Sequence, residues 1–342
     1  MIYCWGNLLT DWYYPVANIP STWANHLGIH HVDKNELSRI HNQVLAHGDI
    51  DKSKAVWLKG GVPQNLHQIL THLGVPTHLV GQSEEHWGTS LTLFCPCEPD
   101  QRVTWVVPPG PWGLSLWLDF QSSKTPNSTT GVYKANPEII TIDGYCLPGL
   151  FRSLDDVNTQ RQIPTLFLPE LAHGLLVVDL ASDHITRTYS KKILHLLVLF
   201  AESKNSLKHL KNIRTCVVVG TKNQIQSLED CWTETNIDLE GYLAVEKHSP
   251  HGANIYWQDS KGNKPQIAGW QSEPVPVLEP TGIGDSFLAG LLHQLALQKE
   301  YLVANPTDWF QSSEFWDQAM KKMQEYSRLA CRTIGPWNGK II

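Results

Sequence analysis

Pro280-Thr281-Gly282-Ile283-Gly284-Asp285-Ser286-Phe287-Leu288-Ala289-Gly290-Leu291-Leu292 holds the residues in this sequence best suited to chemistry. Glycines lack a Cβ, so Gly282 and Gly284 permit a tight turn and let an anion approach backbone N–H groups. Leu288, Leu291, Leu292 and Leu295 recur at i, i+3, i+4 and i+7, so the turn opens a helix with one apolar face. The first turn of a helix leaves its N–H groups unpaired, and the helix dipole favours negative charge there. Asp285 in that turn reads either as a simple helix cap or as a carboxylate beside a bound anion. The second arrangement suits phosphoryl transfer. That chemistry needs donors for developing negative charge and a carboxylate to position a hydroxyl nucleophile.

The elements that must hold this turn are legible in the middle of the chain. Glu138–Ile142, Leu175–Asp179, Thr215–Val219 and Tyr242–Val245 are continuous, β-branched runs, as are strands buried on both faces of a parallel sheet. The gaps between them suit crossover helices. Ile2–Trp5 and His78–Gly81 read as two more strands. Leu66, Ile69, Leu70 and Leu73 form a helical stripe between Gly60-Gly61 and Gly74-Val75-Pro76. Leu91–Cys95 and Arg102–Val107 read as a hairpin around Pro99-Asp100, and Leu114–Phe120 as a further strand outside the main sheet. Gln121–Gly131 reads as a surface loop, and Phe315, Ala319, Met323, Tyr326 and Ala330 mark a final amphipathic helix.

Composition narrows the function classes. The chain has 342 residues, 42% hydrophobic and 18% charged, with a net charge of −6 and no basic run. A nucleic-acid or anionic-membrane surface needs clustered Lys and Arg, so neither partner is expected. The longest apolar run, Ile193–Ala201, contains His195 and falls far short of the ~18 residues of a membrane span. The N-terminus lacks the charged segment and apolar core of a signal peptide. The 7 cysteines show no repeated C-x-x-C pair, which points to free thiols and a cytoplasmic setting. The 16 histidines are scattered without ligand spacing, so no side chain is assigned to a metal. A dinucleotide oxidoreductase would need G-x-G-x-x-G after the first strand, and Gly6-Asn7-Leu8 does not supply it.

The segment Glu279–Gly290 resembles the D-T-x-G-A-G-D-x-F-x-x-G signature of the ribokinase-like (PfkB) carbohydrate kinase family, with Glu279 in place of the leading Asp and Ile283 in place of a small residue. Further likenesses follow in the family's order along nearly the whole chain. Gly6-Asn7-Leu8-Leu9-Thr10-Asp11 is similar to its G-x-x-x-x-D, and Gly60-Gly61-Val62-Pro63-Gln64-Asn65 to its G-G-x-x-x-N. Gly144-Tyr145 is similar to its S-G-Y turn. The nucleotide half matches less closely. Lys247–Ala253 stands where the family has T-x-G-x-x-G, and keeps only the last glycine, Gly252. Gly220-Thr221-Lys222-Asn223 stands where the family has N-x-x-E, which orders magnesium-bound water, and lacks both the Asn and the Glu. Asp179 occupies a strand-end Asp position.

The resemblance implies a single domain over residues 1–342 with an α/β fold: a ribokinase-like three-layer α/β/α sandwich, a central mostly parallel sheet and a small β-sheet lid. Lid strands are expected mainly from about residues 12–32 and 90–120. The implied reaction is ATP-dependent phosphorylation of a hydroxyl on a small sugar, polyol or nucleoside, with Mg2+. Asp285 would be the base, and the N–H groups of Gly282, Ile283 and Gly284 the anion hole. Asp11, Gly60, Gly61 and Asn65 would hold the acceptor, while Lys247, Gly252 and Thr281 would contact ATP. Trp12, Tyr13 and Tyr14 offer stacking surfaces or lid packing. Bare lid strands would allow a homodimer through the lid. The altered N-x-x-E and T-x-G positions point instead to a catalytically silent binding module, which would have no chemical need for Asp285.

Overall fold

The computed structural model describes residues 1–80, 87–107, 139–148, 151, 175–205, 216–235, 237–239, 241–248, 252–259, 262–298 and 309–334. The expected strand Leu114–Phe120 and the loop Gln121–Gly131 lie outside these residues. Runs of Val, Ile and Leu that bury both faces assemble into an eight-stranded sheet. Its strands are β1 (Ile2–Trp5), β5 (Thr77–Val80), β8 (Ile139–Asp143), β9 (Leu175–Asp179), β10 (Cys216–Thr221), β11 (Gly241–Lys247), β12 (Gly252–Asp259) and β13 (Gln266–Gln271). The order is β13-β12-β11-β10-β9-β8-β1-β5. Pairing is parallel from β5 to β11, and β12 and β13 extend the sheet antiparallel.

Helices cover both faces, giving three layers. On one face α4 (Asp183–Asn205) and α5 (Lys222–Thr235) bury Leu194, Leu197, Phe200, Ile225 and Trp232 against β8–β11. The apolar run that begins at Ile193 lies in α4. On the other face α3 (Val62–His72), α6 (Ile283–Leu297) and α7 (Ser313–Ala330) bury Ile69, Leu291, Trp316 and Met323. Many of the tryptophans, among them Trp23, Trp105, Trp232, Trp257, Trp309 and Trp316, are buried in these cores. Among the described residues no helix is long and apolar enough to cross a membrane.

A second, five-stranded sheet has the order β3-β7-β6-β2-β4. It comprises β2 (Leu9–Pro15), β3 (Gly28–His31), β4 (Val56–Gly60), β6 (Gly88–Cys95) and β7 (Glu98–Val107). Its outer face is covered by α1 (Ser21–Ala24) and α2 (Lys34–Ala46), through Tyr14, Trp23, Ile40, Val44, Leu93 and Trp105. The β6–β7 hairpin turns at Pro96-Cys97 rather than at Pro99-Asp100, and Cys95 pairs with Glu98. Proline pre-sets the φ of a turn's first central position, which Pro96 supplies, so Pro99 and Asp100 fall inside the strand. Val56–Gly60, not among the strands expected from sequence, is a short, partly exposed strand at the edge of this sheet.

Gly290 sets the contact of α6 on α7: a Cβ there would lie 2.5 Å from the Met323 Cα and N. Gly290→Ala is therefore expected to destabilise the fold by about 1–3 kcal/mol through overpacking. An unshifted chemical-denaturation midpoint would contradict that close packing.

Candidate active site

The chain leaves β1 at Trp5 and enters the smaller sheet at β2, which carries Asp11 within electrostatic reach of Asp285 and Glu279. Asp11 is buried, and the Ser90 hydroxyl opposite it on β6 donates to its Oδ1 at 2.5 Å. Burial pushes its carboxyl up to about 6, against the lowering effect of Ser90, with the charges of Asp285 and Glu279 adding to the rise. Strand alternation turns Trp12 and Tyr14 toward α2. Tyr13 points inward, where its hydroxyl meets Thr281 near Asp11 and Glu279. Of the three aromatics, only Tyr13 shares a face with Asp11.

Gly60 and Gly61 join β4 to α3. A Cβ on Gly60 would fall 1.7 Å from the Asp11 Oδ2, so the carboxylate lies directly on this backbone. Gly61 has φ +85° and caps α3. Asn65, in the first turns of α3, donates from Nδ2 to the Asp285 Oδ2 at 2.6 Å across 220 positions of sequence. Its Oδ1 is buried and has no hydrogen-bond partner among the described residues.

Gly282 takes the left-handed conformation (φ 83°) as the N-cap of α6, so Asp285 falls in the first turn. The Ile283 N–H closes a turn onto the Pro280 carbonyl at 3.3 Å, and the helical ladder starts with Ser286 onto the Gly282 carbonyl at 2.9 Å. The N–H groups of Gly284 and Asp285 have no i−4 acceptor within the helix, so they are the most available anion donors. Burial holds the Asp285 carboxyl up at about 6, with Asn65 and Lys247 pulling it down and Asp179 pushing it up.

Lys247 ends β11, and its Nζ lies 3.4 Å from both carboxylate oxygens of Asp179 at the end of β9. Asp143, beside Asp179 at the end of β8, is pushed up to about 8 by burial and by the charges of Asp179 and Asp285. The backbone N–H groups of Tyr145 and Asn7 donate to it. Gly252 opens β12 pressed against the Trp270 carbonyl of β13, which by itself demands a glycine. Thr281 is engaged through its N–H and hydroxyl by Glu279, and it accepts from Arg102 at 3.0 Å. Sequence reading did not single out Asp143, Ser90 or Arg102. Asp143 directly precedes the Gly144-Tyr145 turn, the one local signal for it.

Among the described residues no group of three or more His, Cys, Asp or Glu side chains is arranged to hold a metal ion. At the position expected for N-x-x-E, a Cβ on Gly220 would meet Leu180 Cδ1 at 2.9 Å and Gln224 Oε1 at 3.0 Å. Gln224 instead accepts from the Thr221 N–H and caps α5. The polar pair is therefore replaced by close packing.

Lys247 lowers the Asp285 carboxyl and neutralises Asp179, which raises it. Lys247→Met is expected to raise the pKa of Asp285 through both effects. The acid limb of any activity that uses ionised Asp285 then moves to higher pH. A uniform loss with an unmoved limb would leave Lys247 with a nucleotide contact alone.

No protein-family model matches the chain, and no curated protein sequence matches it. Solved structures do. It is similar to a probable sugar kinase from Rhizobium etli CFN 42 at 14% identity, covering 98% of this chain and 94% of that one, with a TM-score of 0.60. An adenosine kinase from Sinorhizobium meliloti aligns over the same shares at 13% identity and a TM-score of 0.62. A ribokinase from Giardia lamblia also covers 98% of this chain and 94% of its own, at 10% identity and a TM-score of 0.57. The chain has the ribokinase-like α/β fold, with a large mostly parallel sheet and a second, smaller sheet.

Proposed function

We propose that the protein transfers the γ-phosphoryl group of ATP to a hydroxyl of a small sugar, polyol or nucleoside. The observation that carries this is the meeting of Asp285 with Asn65 at 2.6 Å, at the open first turn of α6. A partly buried carboxylate at about 6 is a competent base near neutral pH: mostly ionised, yet basic enough to take a hydroxyl proton. N–H groups beside it would hold the charge that develops on the transferred group. Kinase activities in the names of the structurally similar proteins support the same reading.

In this reading Asp11, on the Gly60-Gly61 backbone, and the free Asn65 Oδ1 accept hydrogen bonds from acceptor hydroxyls and orient one of them toward Asp285. The N–H groups of Gly282, Gly284 and Asp285 would form the anion hole; the Ile283 N–H, expected there from sequence, is engaged by the Pro280 carbonyl. Lys247, whose charge lowers the Asp285 carboxyl and whose Nζ lies against Asp179, would face the ATP phosphates, with Gly252 and Thr281 as further contacts. ATP supplies the electrophilic phosphoryl group when bound. The described residues do not fit an all-protein Mg2+ site, so the ion would come with the nucleotide, as Mg2+ commonly does. Exclusion of water falls to the smaller sheet, whose inner face carries Asp11, Tyr13 and Ser90.

A thermal-shift screen of sugars, polyols and nucleosides, with and without Mg-ATP, tests this. One acceptor class should raise Tm, more so with a non-hydrolysable ATP analogue. Stabilisation by neither nucleotide nor any acceptor would contradict the proposal.

A further inference from the structure

Arg102 stands on β7, on the face opposite the Val103 and Trp105 core. Its Nη1 donates to Glu279 Oε1 at 3.1 Å and to Thr281 Oγ1 at 3.0 Å, across 177 and 179 positions of sequence. Glu279 is fully buried, with 0% of its side chain exposed, while Arg102 keeps 25%. The same carboxylate accepts the Thr281 N–H at 2.9 Å and the Thr281 hydroxyl at 2.7 Å. Tyr13 of β2 reaches Thr281 from the same sheet. Glu279 thus ties the segment that leads into Gly282 to β7 of the smaller sheet through Arg102. A buried carboxylate is stable as an anion only when paired and hydrogen-bonded, so the two bonding partners depend on each other. Glu279 carries one methylene more than the Asp of the resembling signature, and its carboxylate spans both Arg102 and Thr281.

We infer that Arg102 is a positioning residue for the anion hole, acting through Glu279 and Thr281 so that seating of the smaller sheet fixes the turn Pro280–Gly284. The inference rests on the reading of that turn as the phosphate-holding site, and it assigns Arg102 no contact with the reacting group. Its action runs through a chain of bonds: guanidinium to carboxylate, carboxylate to Thr281 N–H, and Thr281 to the left-handed Gly282. Loss of either end frees the same segment.

The test uses the full chain with Arg102→Met, Arg102→Lys, Glu279→Gln and the Met/Gln double variant. Hydrogen exchange is read over β7 and over the Thr281–Asp285 amides, and Mg-ATP affinity by titration. Arg102→Met and Glu279→Gln are each expected to speed exchange in both segments by about tenfold, the worth of one charge-assisted bond, with β8–β10 unchanged. Each should weaken Mg-ATP several-fold, and the double variant should lose no more than the larger single change, because both act on one unit. Arg102→Lys keeps the charge without the forked donor geometry and should fall between. Glu279→Gln that exchanges and binds like the parent, while Arg102→Met loses affinity, would overturn the inference in favour of direct nucleotide contact. Faster exchange confined to β7 would overturn it as well. Absence of phosphoryl transfer to every acceptor, with the exchange coupling intact, would defeat the kinase reading and leave this coupling standing.

Discussion

Asp285→Asn is expected to lower turnover by roughly 10²–10⁴-fold, the usual worth of a positioned general base. Folding and nucleotide affinity should stay close to those of the parent. The substitution preserves shape, and the amide oxygen can still accept from the Asn65 Nδ2 that now donates at 2.6 Å. Burial already makes the carboxylate costly, so the neutral amide should not lower Tm. The parent should show a matching pH dependence. Its Asp285 is held up at about 6, so the rate should fall as pH drops through that value and the base takes up its proton. Turnover of the variant at the parental rate, with a true acceptor, would remove Asp285 from the role of base.

Gly60→Ala should have the second large effect. The new methyl carbon would fall 1.7 Å from the Asp11 Oδ2 and 2.7 Å from its Cγ. Asp11 cannot retreat easily, because Ser90 holds its other oxygen at 2.5 Å and the side chain is buried. Either the carboxylate swings away or β4 separates from β2. Acceptor hydroxyls then lose a charged partner, worth about 1.5–3 kcal/mol, or roughly tenfold to a hundredfold in affinity. ATP affinity should change little, since Lys247 and the α6 turn are separate elements. Calorimetric titration of both ligands checks this. Equal losses for ATP and acceptor would give Gly60 and Asp11 a structural role only.

Much of this architecture is legible in the sequence, for reasons that differ by element. Ile139–Ile142, Leu175–Val178 and Val217–Val219 read as buried strands because a sheet covered on both faces tolerates unbroken β-branched runs. The turn into α6 is legible because a left-handed Gly282, an Asp in the first turn and a leucine stripe leave a local trace. Antiparallel β12 and β13 escaped notice. Gln266–Gln271 is a half-exposed edge strand, and its pattern of Gln, Gly and Trp resembles a loop. Val56–Gly60 is likewise a short, partly exposed edge strand. At the site, motif positions such as Asp11, Asn65 and Asp285 are visible singly, but their contacts are not. The Asn65–Asp285 bond and the Arg102–Glu279 pair join residues 220 and 177 positions apart. Asp143 has only the adjoining Gly144-Tyr145 turn as a local signal, and its raised proton affinity arises from burial and then from the charges of Asp179 and Asp285, which only folding supplies.

Product formation decides most directly whether this protein is a kinase. Wild-type protein and Asp285→Asn should be incubated with γ-labelled ATP, a magnesium series and a broad panel of sugars, polyols and nucleosides, with label transfer read directly. Transfer to one acceptor class by the wild type is predicted. It should show a magnesium demand above the nucleotide concentration, as protein ligands for the ion are few, and Asp285→Asn should lose it by at least about a hundredfold. No transfer to any acceptor at any magnesium concentration, or equal transfer by both proteins, would contradict it.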